Sequence, residues 1–177
     1  MTVTDDSIRR PAISRAVTHV LFGDGSSIAS TVYGTVVVMA TLTAAYASEK
    51  DPWKLAATVA AAVAVLWVAH VYAHAMSESL AEDRLRFGGL RSIARRELGI
   101  VLAAVLPVTS LVLGAIGVFA EGTAVWLALA IGLFTLGADG VRFARAESLG
   151  LFGTLAAAGL TLGLGLLVVA LKVVVAH

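Results

Sequence analysis

The sequence contains no cysteine, and it is poor in charged residues and in proline. Without cysteine, disulfides, thiolate metal sites, iron–sulfur clusters and cysteine nucleophiles are all excluded. Three prolines and no polar low-complexity tract leave little room for a flexible linker. Only 14% of the 177 residues are charged and the net charge is +1, whereas nucleic-acid binding needs clustered positive charge on a solvated face. We therefore expect no nucleic-acid partner.

The chain is instead rich in apolar residues. They make up 59% of the sequence, and the mean hydropathy is +0.91. A soluble domain is typically about 45–50% apolar and about 25% charged. This composition predicts one integral membrane domain that covers residues 1–177 and lies in the lipid bilayer.

Five stretches have the length of roughly 20 mainly apolar residues that a membrane-spanning helix needs. They are residues 28–47, 53–76, 98–119, 124–143 and 149–175. The sequence therefore predicts an all-α integral membrane protein with five transmembrane helices. Residues 1–27 and 77–97 are predicted to form cytoplasmic amphipathic segments, the second broken at Gly88-Gly89. Pro107 should bend the third span, with Thr109 and Ser110 bonding the carbonyls that it frees.

The basic residues divide between alternate ends of these spans. All ten arginines fall on one side and the three lysines on the other, so the positive-inside rule predicts a cytoplasmic N-terminus and an external C-terminus. The Ala-, Val-, Gly- and Arg-rich composition suits a high-GC bacterium, so we expect the bacterial plasma (inner) membrane. Five arginines between the second and third spans are predicted to face lipid headgroups or a partner protein: Arg84, Arg86, Arg91, Arg95 and Arg96.

The second span carries the most informative polar residues. His70, His74 and Glu78 follow at intervals of four, which places them along one stripe of a helix. Imidazole and carboxylate are suitable ligands for iron, zinc, cobalt or nickel, so these three are candidate metal ligands. The same stripe could pass protons, because histidine titrates near pH 6.5. Alternatively, the histidines bond neighbouring hydroxyls in a packed interface.

Two aspartates extend the candidate ion-binding set. Asp139 in the fourth span lies near the same end as the histidines, although it could simply pair with Arg142 at i+3. Asp24 stands just before the first span and could instead cap that helix. The candidate ion-binding residues are Asp24, His70, His74, Glu78 and Asp139.

Neither an enzyme nor a bound cofactor is expected. The sequence has no Ser-His-Asp spacing, no H-E-x-x-H, no P-loop and no dinucleotide fingerprint. A divalent metal ion enters only as a substrate. Gly159 and Gly163 form a G-x-x-x-G pair in the last span, which favours helix packing and, with the odd number of spans, a homodimer.

This layout resembles the vacuolar iron transporter family over roughly residues 17 to 175. Gly23-Asp24-Gly25 before a hydroxyl-rich first span looks like the start of that family's first helix. The stretch 133–138, Leu-Phe-Thr-Leu-Gly-Ala, before a basic turn and a Gly-rich last helix looks like its fourth and fifth helices. The resemblance implies a dimer that exchanges divalent metal, chiefly ferrous iron, for protons. It also implies that Asp24 lies on the transport path and that Glu78, Glu82 and Asp83 gather metal.

Two features depart from that family. Its second helix ends in a Ser-Met pair followed by Gly-Glu-Tyr, whereas residues 70–76 here read His-Val-Tyr-Ala-His-Ala-Met. Its cytoplasmic segment is rich in glutamate, whereas five arginines dominate the segment here. The sequence therefore favours a transporter of cations or protons, with two alternatives: a proton pathway without metal, and a non-transporting scaffold that binds lipid or a partner protein through the arginines.

Overall fold

The computed structural model describes residues 25–82 and 87–175, and every element within these ranges is an α-helix. The helices are α1 (Gly25–Ser48), α2 (Pro52–Glu82), α3 (Phe87–Arg96), α4 (Leu98–Ala115), α5 (Glu121–Ala146) and α6 (Leu151–Val175). All except α3 are long and apolar enough to cross a membrane. The predicted all-α fold with five potential membrane-spanning helices is confirmed, and it indicates a membrane protein.

Several helix ends differ from the predicted ones. The 31 residues of α2 rise about 46 Å, more than the ~30 Å hydrocarbon core, so its last turns extend past its apolar part, which ends at Ser77. Helix α4 ends at Ala115 rather than at residue 119, because Gly117, with a φ of 82°, turns the chain towards α5. The break predicted at Gly88-Gly89 is not found there, since both glycines lie in the first turn of α3.

Helix α1 is the centre of the bundle, because it packs against α2, α4, α5 and α6. Its Met39 and Leu42 are buried, together with Leu55 of α2, Leu111 of α4 and Leu129 of α5. Among the described residues, helix α6 packs mainly on α5 and α1, and it is the least buried of the five long helices. Helix α1 therefore contacts every other long helix, whereas α6 is peripheral.

Glycines allow the close approaches around α1 and α6. A methyl group added at Gly34 of α1 would lie 2.8 Å from the Cα of Ile100 in α4, and one at Gly132 of α5 would lie 2.7 Å from the Cγ of Met39. One added at Gly140 of α5 would lie 2.7 Å from the Cα of Ala158 in α6. Backbones that come this close gain the dispersion contacts that associate helices in lipid.

Side-chain hydrogen bonds fasten both hairpins at the end opposite the arginines. In the first hairpin, the Glu49 carboxylate accepts from the backbone N–H groups of Asp51 and Lys50 and from Lys54 Nζ. The Asp51 N–H, followed by the Lys54 ammonium, lowers the pKa of Glu49 below its usual value. The carboxylate of Asp51 accepts from the backbone N–H of Trp53 at 2.9 Å, which closes the first turn of α2.

The hydroxyls near Pro107 do not act as predicted. Thr109 Oγ1 donates to the carbonyl of Val105, and the buried Ser110 Oγ donates across to the carbonyl of Ala124 in α5 at 2.9 Å. The carbonyl that a proline frees belongs to the residue four positions earlier, which is Ala103. Ser110 therefore links α4 to α5 and does not bond the carbonyl that Pro107 frees in its own helix.

The glycine pair predicted to support a homodimer lies on an open surface. An added Cβ at Gly159 or Gly163 of α6 would meet no atom within 4 Å. Lipid and a second copy would both fit this face. The homodimer stays a prediction, which the mass of the purified protein in detergent would test.

We expect Gly140→Ala to destabilise the bundle by about 1–3 kcal/mol, because the new methyl would press on the backbone of α6. The matched control is Gly159→Ala, whose methyl enters open space. The measurement is thermal unfolding in detergent, where the first variant should melt at a lower temperature and the second should not. Equal melting temperatures for the two variants would show that α5 and α6 do not pack this closely.

The predicted orientation can be measured directly, because a chain without cysteine needs no background substitutions. Three exposed positions mark the two ends of the bundle: Ser48 and Ala120 at one end and Ala146 at the other. With a cytoplasmic N-terminus, Ser48→Cys and Ala120→Cys should react with a membrane-impermeant maleimide on intact cells, whereas Ala146→Cys should react only after lysis. The reverse labelling pattern would invert the topology.

Candidate functional site

The polar residues of the spans gather at one level on two sides of α1. His70 lies 18 residues after the start of α2, and Asp139 lies 18 residues after the start of α5. At 1.5 Å per residue both lie about 27 Å along helices that begin at the same end of the bundle. This level is close to the arginine-bearing end, which the charge distribution predicts to be cytoplasmic.

The two histidines of α2 have the same local geometry. His70 Nδ1 lies 3.2 Å from the carbonyl oxygen of Leu66, and His74 Nδ1 lies 3.1 Å from that of His70. A carbonyl only accepts, so these contacts assign the ring proton to Nδ1 in both residues. Each Nε2 then keeps a lone pair, as a metal ligand or a proton acceptor requires. The partners of Nδ1 are backbone carbonyls, and the hydroxyl partners of the packed-interface alternative stay a prediction.

Tyr33 of α1 extends this pair of histidines, and sequence analysis did not single it out. Its ring centroid lies 4.9 Å from that of His70, and the His70 and His74 centroids are 6.3 Å apart. The sequence feature that could have identified Tyr33 is a tyrosine within a span, among the hydroxyl-rich residues of α1. Its contact with His70 depends on how α1 and α2 pack, which periodicity within one helix does not reveal.

His74, the histidine nearer the arginine-bearing end, contacts the junction between α3 and α4. His74 Nδ1 lies 3.6 Å from Glu97 Oε1, and the Glu97 side chain is 12% exposed. One turn before His70, the Trp67 indole N–H donates to the carbonyl of Ala94 in α3 at 3.3 Å. These two contacts hold the junction against α2.

Two side chains of the predicted ion-binding set lie outside what the structure describes. Asp24 precedes them, and of Glu78 only its place in α2 is described. Among the side chains that the structure does describe, no group of three His, Asp or Glu is arranged to hold a metal ion. The metal site of His70, His74 and Glu78 therefore stays a prediction.

Asp139 is the buried acid of the bundle. Its side chain is 2% exposed, and Oδ1 accepts from Arg142 Nη1 at 2.9 Å, which confirms the predicted i+3 ion pair. The other oxygen, Oδ2, is buried and has no hydrogen-bond partner among the described residues. A buried acceptor without a donor costs about 1–3 kcal/mol, so this atom is suited to take up a proton or a cation.

Asp139 also separates two grooves on the surface of the bundle. The α1/α5/α6 groove, of about 530 Å³, is lined by Tyr33, Asp139 and Thr161 among mainly apolar side chains. The α1/α4/α5 groove, of about 440 Å³, lies on the other side and is lined by Asp139 and Arg142. Tyr33, whose ring contacts that of His70, therefore lines the same groove as Asp139.

The predicted lipid- or partner-facing arginines are only partly described. Arg84 and Arg86 lie outside the described residues. Three others, Arg91, Arg95 and Arg96, are exposed on α3, while Ile93 of the same helix is buried. Helix α3 is therefore amphipathic, with a basic exposed face at the arginine-bearing end of the bundle.

No family model matches the chain, and no curated protein or solved structure matches it either. The resemblance to the vacuolar iron transporter family therefore stays a prediction. The described geometry of His70, His74, Tyr33 and Asp139 is the basis on which a function can be proposed.

We expect Arg142→Leu to destabilise the protein by about 1–3 kcal/mol, because it leaves both oxygens of a buried carboxylate without a donor. The matched control is Arg145→Leu, which removes an exposed arginine one turn further along the same helix. Adding Asp139→Leu to Arg142→Leu should recover most of the loss, because no buried charge is then unpaired. The measurement is thermal unfolding in detergent. Equal effects of the two single arginine variants would contradict the assigned ion pair.

Proposed function

We propose that this chain is a membrane transporter that exchanges a cation for protons and that Asp139 is its ion-binding residue. The observation that carries the proposal is Oδ2 of Asp139, a buried carboxylate oxygen that has no donor among the described residues and lies in a potential membrane-spanning helix. Ionisable groups in such segments are expensive, and they usually mark an ion or proton path.

Arg142 supports this role by holding the carboxylate in place. Its guanidinium engages Oδ1 and is itself 28% exposed, whereas Oδ2 stays free for an exchanging ion. Fixing one oxygen orients the other without occupying it. This division of the carboxylate suits a group that binds and releases an ion repeatedly.

The histidines extend the path towards the arginine-bearing end. Because each Nδ1 contacts a carbonyl, the neutral ring has its lone pair on Nε2, where a proton acceptor needs it, and Tyr33 lies between His70 and the α1/α5/α6 groove. A proton pathway without metal would use the same residues. The exchanger and the proton pathway differ only in whether a cation is transported in the direction opposite to the protons.

The resemblance stated above adds a substrate and an assembly to this proposal. It favours a homodimer in a bacterial plasma membrane that carries a divalent metal such as ferrous iron. Asp24 and Glu78 would then complete the ion path. The exposed arginines of α3 argue against strong attraction of divalent cations to that face, so metal selectivity is left to the flux assay.

One observation favours a second function. The basic exposed face of α3 is suited to anionic lipid headgroups or to an acidic partner protein. In that case the protein is a non-transporting scaffold, and Asp139 and Arg142 form only a structural pair.

The experiment is a liposome flux assay with a pH dye and a metal dye inside, challenged with ferrous iron, manganese, zinc, cobalt and a bare pH step. We expect Asp139→Asn to reduce flux at least tenfold, because an amide cannot carry the exchanged charge. The matched control is Glu121→Gln, which neutralises an exposed acid at the other end of α5 and should leave flux unchanged. The His70→Ala, His74→Ala double variant should also lose flux.

Each outcome separates the candidate functions. Metal entry coupled to proton movement, lost in Asp139→Asn, supports the exchanger. Proton movement alone, lost in the histidine variant, supports the proton pathway. Flux that survives in Asp139→Asn contradicts the assigned ion site, and silence in folded protein under every condition favours the scaffold.

A further inference from the structure

The α1/α5/α6 groove has the dimensions of a small-molecule site. Its volume of about 530 Å³ lies within the roughly 300–1,000 Å³ of ligand pockets. Val32 of α1 and Leu160 and Leu164 of α6 supply apolar walls. Polar groups are few and lie close to Asp139. The groove therefore offers a long apolar surface and one polar region.

That polar region accepts hydrogen bonds and offers few to donate. Thr161 Oγ1 directs its only proton to the carbonyls of Ala157 and Ala158, so its remaining capacity is that of an acceptor. Asp139 contributes a carboxylate whose Oδ2 has no donor among the described residues. A ligand that satisfies these atoms must itself bring N–H or O–H groups.

Asp139 is the charged residue that lines this groove among the described residues. Arg142, the cation paired with Asp139, lines the opposite groove, and no basic side chain is found among the lining of this one in the described part of the chain. The rings of Tyr33 and Phe143 are 45% and 47% exposed and also line the groove. Aromatic faces attract organic cations within about 6 Å. Charge and lining together favour a positively charged ligand.

We propose that the α1/α5/α6 groove binds a protonated organic amine, with its ammonium on Asp139 Oδ2 and its apolar body along α1 and α6. A protonated amine supplies both the charge and the N–H donor that this oxygen lacks. A hard divalent cation fits less well here, because it needs about six oxygen ligands and the groove offers a single carboxylate. This inference names a substrate class for the exchanger proposed above, and it rests on that function for its role in transport.

The amine and a proton compete for the same atom. When Oδ2 binds a proton, the carboxyl is neutral and no longer attracts an ammonium. When the amine binds, the proton is displaced. One carboxylate can therefore exchange the two cations without a second acid in the groove.

The experiment is equilibrium dialysis of the protein in phosphatidylcholine nanodiscs against 2-(1-naphthyl)ethylamine near pH 7, read by naphthalene fluorescence. We expect binding above that of empty nanodiscs, at least tenfold weaker in Asp139→Asn. The uncharged analogue 1-ethylnaphthalene should partition equally with both proteins. The melting temperature of Asp139→Asn confirms that the variant is folded.

A second pair of variants tests the location without touching the charge. Ala29 and Ala130 are both exposed, and the first lines the α1/α5/α6 groove whereas the second lines the α1/α4/α5 groove. Ala29→Phe should fill the site and weaken amine binding at least tenfold. Ala130→Phe should leave it unchanged.

The outcomes distinguish this inference from the proposed function. Amine binding that is equal in wild type, Asp139→Asn and Ala29→Phe overturns the inference. Metal-driven flux that depends on Asp139, together with no specific amine binding, also overturns the amine site. The proposed exchange of a cation for protons would then still stand. Amine binding lost in Asp139→Asn and in Ala29→Phe supports the site, whether or not the metal flux assay gives a signal.

Discussion

The structure depends on the close packing of α1 against four other helices. In lipid, apolar side chains gain little from contacting each other rather than acyl chains, so the bundle must be held by dispersion contacts and interhelical hydrogen bonds. Gly34 of α1 lies against the backbone of α4, and Met39 of α1 fills the space that Gly132 leaves on α5. Without these approaches α1 could not lie at the centre, and the polar residues on its two sides would not share one level.

This central position creates the candidate site. Tyr33 on α1 contacts His70 on α2 and lines the groove that also contains Asp139 of α5. No single one of these helices carries the whole arrangement. Asp139 is buried because α1, α5 and α6 enclose it, and among the described residues its second oxygen has no donor because the local Arg142 reaches only the first. The unsatisfied atom is a consequence of packing, and it is also the feature best suited to ion binding.

Much of the fold was predictable from single segments of the sequence. Apolar runs of about 20 residues placed the five long helices, since length and hydropathy are properties of a segment and not of its neighbours. The ion pair of Asp139 and Arg142 was predicted for the same reason, because i+3 spacing on a helix brings two side chains together. The errors occurred where neither hydropathy nor helical spacing decides the outcome. Ser110 bonds Ala124 in α5 and not its own helix, and the end of α4 follows from the turn at Gly117.

The sequence by itself determined the membrane class, the helices and their number, and the row of histidines along one of them. Each of these follows from hydropathy or from the 3.6-residue period within a single segment. The tertiary structure alone decided which helix lies at the centre, that Tyr33 meets His70, and that a groove without basic residues contacts Asp139. These contacts join residues far apart in the chain, and small residues set the helix separations that produce them. No local pattern specifies which helices will pack together.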